Sequence, residues 1–212
     1  MTTDSRKQAK ARLDRRIERC RKCIAPDRLN IPGVTASAAG FGSINSPVAI
    51  VGEALCRRCM DAGEPFVGGS GRILELCFDR AGVDKDQLFI TNSIHCHPPK
   101  DRDPLPHESR NCEPFLREEL VEIVRPRLVI GVGKFAKAAV LSIYDARVDA
   151  EARELNWPFR VPRPRPFDTP DPTYLLFPKH PYWVMTRPAP MREEYIRHVG
   201  RAIEWAFASN VN

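Results

Sequence analysis

The chain of 212 residues contains no apolar run approaching the ~18 to 20 residues that a membrane-spanning helix needs. It has no leader-like opening either, because residues 1–22 are too heavily charged for the apolar core of a secretory segment. A protein that stays inside the cell, in the cytoplasm, is expected. No internal repeat is present, and no low-complexity tract beyond one proline-rich stretch, so repeat architectures are disfavoured. What is there suits an ordinary core: 42% hydrophobic residues in a length that one domain can hold, so a single domain over 1–212 is expected. The balance of 33 basic against 27 acidic residues, a net +6 with a pI near 9.1, fits a polyanionic partner without demanding one.

Seven cysteines in a reducing compartment argue against a disulfide framework and direct attention to metal or cluster ligation. Cys77 lies in the apolar stripe Ile73, Leu74, Cys77, Phe78, Ala81 and reads as a buried structural thiol. Cys20 and Cys23 form a C-x-x-C pair after a basic segment, residues 6–22, that carries nine Lys or Arg and reads as a helix with mostly solvated faces. Cys96 follows a predicted strand, and Cys112 comes 16 residues later, in what reads as the first turn of a helix, across a loop stiffened by Pro98, Pro99, Pro104 and Pro106. A second pair, Cys56 and Cys59, has the same spacing. Thiolates at such spacing suit zinc and iron-sulfur clusters alike.

From residue 47 the chain alternates β-rich runs at 48–51, 88–91, 128–132 and 174–177 with helical periodicities at 73–81, 116–124, 135–141 and 195–207. This is the pattern of a three-layer α/β/α sandwich around a mainly parallel, four-stranded sheet. Pro126 stops one helix and Gly133 opens the next. Residues 157–172 hold six prolines with Arg160, Arg163 and Arg165, and read as a basic surface loop.

Three segments follow predicted strands, where open α/β sheets gather ligands. The first is Gly52, Glu53, Ala54, Leu55 and Cys56, continued by Gly63, Pro65, Phe66, Val67, Gly68, Ser70 and Gly71. The second is Asn92, and the third is His180-Pro181, followed by Tyr182, Trp183, Met185 and Arg187. Together with the cysteines at 20, 23, 96 and 112 and the stretch from Cys96 to Arg102, they resemble the iron-sulfur, family 4 uracil-DNA glycosylases.

The resemblance implies uracil-containing DNA as substrate, an abasic-site product, and a monofunctional hydrolysis of the N-glycosidic bond on a base flipped into a pocket. It implies a monomer, found with the nucleoid through DNA, that carries a [4Fe-4S] cluster on Cys20, Cys23, Cys96 and Cys112. Phe66 would stack on uracil beside Gly52 and Ala54. Asn92 would select the base, since one amide can donate to uracil O4 while accepting from N3, a pattern that cytosine inverts. His180 would donate to O2 as negative charge grows there, and Glu53 would serve the attacking water. Gly68, Ser70, Gly71, Tyr182, Trp183 and Arg187 would contact DNA. Cys56 and Cys59 read as pocket lining.

The chain departs from the family pattern at one place. Leu55-Cys56 and Cys59-Met60 stand where the pattern has Pro-Gly and acidic residues, and Asp61 lies one position late. Besides the glycosylase, two readings therefore stay open: a uracil- or abasic-DNA-binding protein of the same superfamily with weak or no turnover, and a cluster-containing module of unrelated activity.

Overall fold

The computed structural model describes residues 2–23, 28–144, 152–163 and 171–208. Among them, six strands form one sheet: β1 Phe41–Gly42, β2 Val48–Gly52, β3 Phe89–Asn92, β4 Leu128–Gly131, β5 Ala152–Leu155 and β6 Thr173–Leu176. The order is β1-β3-β2-β4-β6-β5, all parallel except β1, which runs against β3.

The four expected strands are the central four. The sheet exceeds the expectation by β1 and β5 at its two edges. β1 is two residues long, and β5 alternates no apolar face, burying Ala152 while leaving Arg153 and Glu154 exposed. Neither signals itself by periodicity.

Strands β2, β3 and β4 are buried at every position, as parallel strands covered on both faces must be. Alternate side chains divide between two cores. The short α2 (Arg57–Ala62) follows β2, and Val48, Ile50, Ile90, Ile130 and Leu176 pack beneath α3 (Gly71–Ala81) and α7 (Ala189–Ala208). Ala49, Val51, Phe89, Val129 and Leu175 pack beneath α1 (Thr3–Glu18), α4 (Pro106–Arg117) and α5 (Lys134–Ile143). The basic helix is thus α1, and it is not all solvated: Ala9, Leu13 and Ile17, four apart, form a buried stripe. Arg6 donates to the carbonyls of Ile44 and Ile123 at 3.1 and 3.0 Å.

Helix α4 starts at Pro106, so Cys112 lies in its middle rather than in its first turn. It runs on through Glu118–Val124 in wider i→i+5 turns and ends where Arg125 turns left-handed before Pro126. The proline-rich segment is described only to residue 163 and again from 171. Arg160 and Arg163 are exposed as expected, yet Phe159 is almost fully buried, 6.0 Å from the Trp205 ring. One aromatic therefore anchors the described part of the segment to the core; Arg165 lies outside the described residues.

Parallel register fixes what meets at the carboxyl edge. Gly52 pairs with Asn92, Val51 with Gly131, and Ile130 with Leu176. With β3 and β4 on opposite sides of β2, the loops leaving β2, β3 and β6 border one crevice.

Candidate active site

That crevice is a cleft of about 830 Å³. Glu53, Ala54, Cys56, Phe66, Asn92 and His180 all line it, though they come from three separate segments.

Gly52 shows how closely two of them approach. A Cβ added there would lie 2.3 Å from Asn92 Oδ1 and 2.7 Å from Phe66 Cζ, so the glycine makes room for the amide and the ring edge together. Phe66 sits at φ 56°, the left-handed region that costs a bulky residue about 1 to 3 kcal/mol. Its segment is over-determined: a Cβ on Gly71 would lie 2.2 Å from the Phe66 carbonyl oxygen, and the Val67 N–H donates to Cys59 Sγ at 3.4 Å.

The loop after β2 is stapled to the exit of β3. Ser93 Oγ donates to the Glu53 carbonyl at 2.6 Å, the Ile94 N–H to the same oxygen at 3.0 Å, and the buried His97 bonds the Leu55 carbonyl through Nδ1 at 2.9 Å.

His180 caps the short helix α6 (Pro181–Met185). Its Nδ1 accepts the Tyr182 N–H at 3.2 Å. A nitrogen that accepts carries no proton, so the ring is the neutral tautomer with its hydrogen on Nε2. Burial also holds the His180 pKa below the usual histidine range. Gly133 presses on the ring: a Cβ there would lie 3.1 Å from His180 Cβ. Glu53 is half-buried, and burial first, then the negative charge of Asp103, raises its pKa, with Lys134 opposing. Lys134 and Asp103 pair at 2.8 Å near the cleft.

A second, tight pocket, of only about 10 Å³, is lined by Cys20, Cys23, Cys96 and Cys112 together with Ile17, Leu29 and Phe115. Cys56 and Cys59 line the cleft instead. Burial, then neighbouring thiols, raise the Cys96 pKa; burial raises that of Cys23 as well, against a hydrogen bond from Asn111 Nδ2 to its sulfur at 3.4 Å. Thiols as buried as Cys23 and Cys96 ionise poorly there unless a cation shares the space. Among the described residues, no three His, Cys, Asp or Glu side chains close on a point as a single ion requires. Tetrahedral zinc would draw the sulfurs to roughly 3.8 Å apart, given the ~2.3 Å Zn–S bond.

The profile of the uracil DNA glycosylase superfamily matches residues 39–203. The chain belongs to that superfamily. It is 32% identical to the type-4 uracil-DNA glycosylase of Archaeoglobus fulgidus over 183 residues, 85% of each chain. It is 33% identical to the type-4 enzyme of Pyrobaculum aerophilum over 139 residues, 65% of this chain and 67% of that one. To the type-5 uracil-DNA glycosylase of the same organism it is 46% identical over a shorter stretch of 69 residues, 32% of this chain and 30% of that one.

As a superfamily member, the chain keeps its sequence-derived candidates close together. Gly68 and Ser70 border the cleft, whereas Gly71 is buried under the Phe66 carbonyl and faces no solvent. Tyr182 borders the cleft at 67% exposed, with Trp183 and Met185 exposed beyond it and Arg187 stacked on Trp183 at 4.4 Å. Asp61 is exposed and pairs with Arg57 at 3.3 Å; it does not line the cleft.

The sequence reading missed Pro98, Asp101, Arg102 and Asp103, which form the far wall of the cleft. The stretch from Cys96 to Arg102 contributes to the family resemblance and its prolines stiffen the loop, but neither places it beside the cleft; the run of charges at 101–103 is the available signal. Among the described residues, no helix is long and apolar enough to cross a membrane.

Proposed function

We propose that the protein is a monofunctional uracil-DNA glycosylase that acts on a base flipped into the cleft and leaves an abasic site. The observation that carries this reading is the convergence of a planar amide (Asn92), an aromatic ring (Phe66) and a neutral imidazole (His180) on one cavity.

Phe66 stacks on the pyrimidine, and Asn92 pairs with its O4 and N3 edge. The bond between C1′ and N1 breaks with the electron pair leaving on uracil. His180 Nε2–H donates to O2 as that charge develops, and it does so without giving up its proton. Glu53, ionised, orients the water that adds to C1′, and it can take the proton that the water loses. Asp101 and Asp103 across the cleft supply further negative charge where the sugar becomes cationic, in place of the acids absent from the first motif. Cytosine, with a donor at position 4 and an acceptor at N3, meets the amide in reverse. Tyr182, Trp183 and Arg187 stand at the rim to fill the space the base leaves in the duplex, and Gly68 and Ser70 offer backbone to a phosphate.

The test is release of uracil from an oligonucleotide, read as strand breakage after alkali. Rates in the native protein no greater than in a His180→Ala variant would end the proposal. A second variant tests the stacking role. Phe66→Ala should weaken binding of uracil-containing DNA by about 1 to 3 kcal/mol, the range for stacking of a base on an aromatic side chain. Titration against matched uracil and thymine oligonucleotides measures it, and an equal loss on both would remove Phe66 from uracil recognition.

We further propose that Cys20, Cys23, Cys96 and Cys112 hold a [4Fe-4S] cluster. Four thiolates are the ligand set of such a cluster, and these four cysteines, far apart in the chain, line one apolar pocket. When bound, the cluster supplies a structural tie between the end of α1, the exit of β3 and α4. Protein prepared without oxygen should contain about four iron and four sulfide per chain, and Cys96→Ser should lose most of both. Stoichiometric zinc without sulfide would refute the assignment.

A further inference from the structure

The mechanism leaves one pair of side chains unused. Cys56 and Cys59 both line the cleft, with their sulfurs 2.8 Å apart. Cys56 is half-exposed, Cys59 is buried, and Cys59 Sγ accepts the N–H of Val67, the residue next to Phe66. We propose that Cys56 and Cys59 are a reversible dithiol-disulfide couple, oxidised by small disulfides, whose closure loosens the Phe66 segment and slows uracil excision.

The geometry carries this. Bringing two sulfurs from 2.8 Å to a bond of ~2.05 Å asks for a movement of less than about 1 Å. The two thiols are also electrically unequal. The Cys56 thiol, donating to Cys59, lowers the Cys59 pKa to about 6, aided by the Val67 amide, while its own is pushed up. Cys59 is thus a thiolate near neutral pH, the form that attacks.

It displaces one thiolate from the small disulfide and forms a mixed disulfide. Cys56 then gives its proton to the departed thiolate, attacks Cys59 Sγ and expels the second thiolate. Two protein thiols are oxidised, and one small disulfide is reduced to two thiols. The Cys59 thiolate is thereby consumed, and the Val67 N–H loses a charged acceptor. Phe66, held at φ 56° only by its surroundings, loses one of them.

The test uses the full chain, with its metal, in glutathione buffers of graded ratio without oxygen, followed by alkylation and peptide mapping. The expected result is a Cys56–Cys59 bond that forms as the disulfide fraction rises and opens with dithiothreitol. Excision should be at least ~10-fold slower in the closed form; Cys59→Ser should show no response to the oxidant, whatever its basal rate, and Cys56→Ser, left without the resolving thiol, should trap one glutathione on Cys59. The pair staying open to alkylation in glutathione disulfide alone, glutathione resting on Cys59 with no bond to Cys56, or an excision rate indifferent to the bond would each overturn the proposal. The slowing rests on the glycosylase reading, but the mapping does not. A protein that forms the bond, loses affinity for uracil-containing DNA on closure and yet excises nothing would uphold the couple and defeat only that reading.

Discussion

His180→Ala should lower the rate of uracil release by about 10² to 10³-fold, or ~2.7 to 4 kcal/mol, which is what removing one preorganised donor to a developing oxyanion costs. The loss should fall on kcat and leave KM nearly unchanged, because the hydrogen bond strengthens only as the base departs. Single-turnover rates on a uracil-containing oligonucleotide measure it, and a change confined to KM would make His180 a binding residue only.

The same chemistry sets the sign of the pH dependence. His180 is held neutral by burial and by the Tyr182 amide on Nδ1, so its working form persists as pH falls through the ordinary histidine range. In the proposed role Glu53 acts ionised, and its pKa is raised. The acid limb of activity should therefore begin above the usual carboxylate range and belong to Glu53. In Glu53→Gln the rate should be low and that limb absent.

Glu119→Ala should destabilise the fold by about 3 to 5 kcal/mol, the cost of stripping the partner from a buried charge. Glu119 is fully buried. Its Oε1 accepts the Gly40 N–H at 3.0 Å, and its Oε2 accepts from Thr91 Oγ1 at 2.7 Å and meets His95 Nε2 at 3.3 Å. Burial works against the charge on both residues, yet each holds the other ionised: His95 is raised and Glu119 lowered. A carboxylate held down in this way contributes stability above its unfolded pKa and loses it as pH falls through the folded value. Urea unfolding near neutral pH should show the loss, with Glu119→Gln falling less because it keeps an acceptor for Gly40. Equal stability of Glu119→Ala and the native chain would mean that the pair contributes nothing.

How much of this could be read from the residues alone follows physical lines. The four central strands are legible because burial on both faces forces unbroken runs such as Val48, Ala49, Ile50 and Val51. That Phe66, Asn92 and His180 border one cleft is legible from motifs: Asn92 closes β3, His180 follows β6, and Phe66 belongs to the longer segment after β2. β1 is too short for any periodicity, and β5 carries an exposed arginine and glutamate. Phe159 lies among prolines that mark a surface path, and no local pattern tells that a single ring turns inward. The far wall at 98–103 is long-range in origin: the bonds of Ser93, Ile94 and His97 to the carbonyls of Glu53 and Leu55 set that loop beside the first motif. Glu119 looks like any charge on a helix until the wide turns after Arg117 are seen to accompany its burial.

The stretch from residue 96 to 103 begins in the cysteine cavity and ends in the wall of the cleft. A span anchored at both ends behaves as a yoke, since neither end can shift without dragging the other. Lengthening it by even one residue should therefore disturb the cysteine pocket and the cleft together, whereas an equal insertion at the exposed tip near Gly63 should spare the pocket of Cys20, Cys23, Cys96 and Cys112.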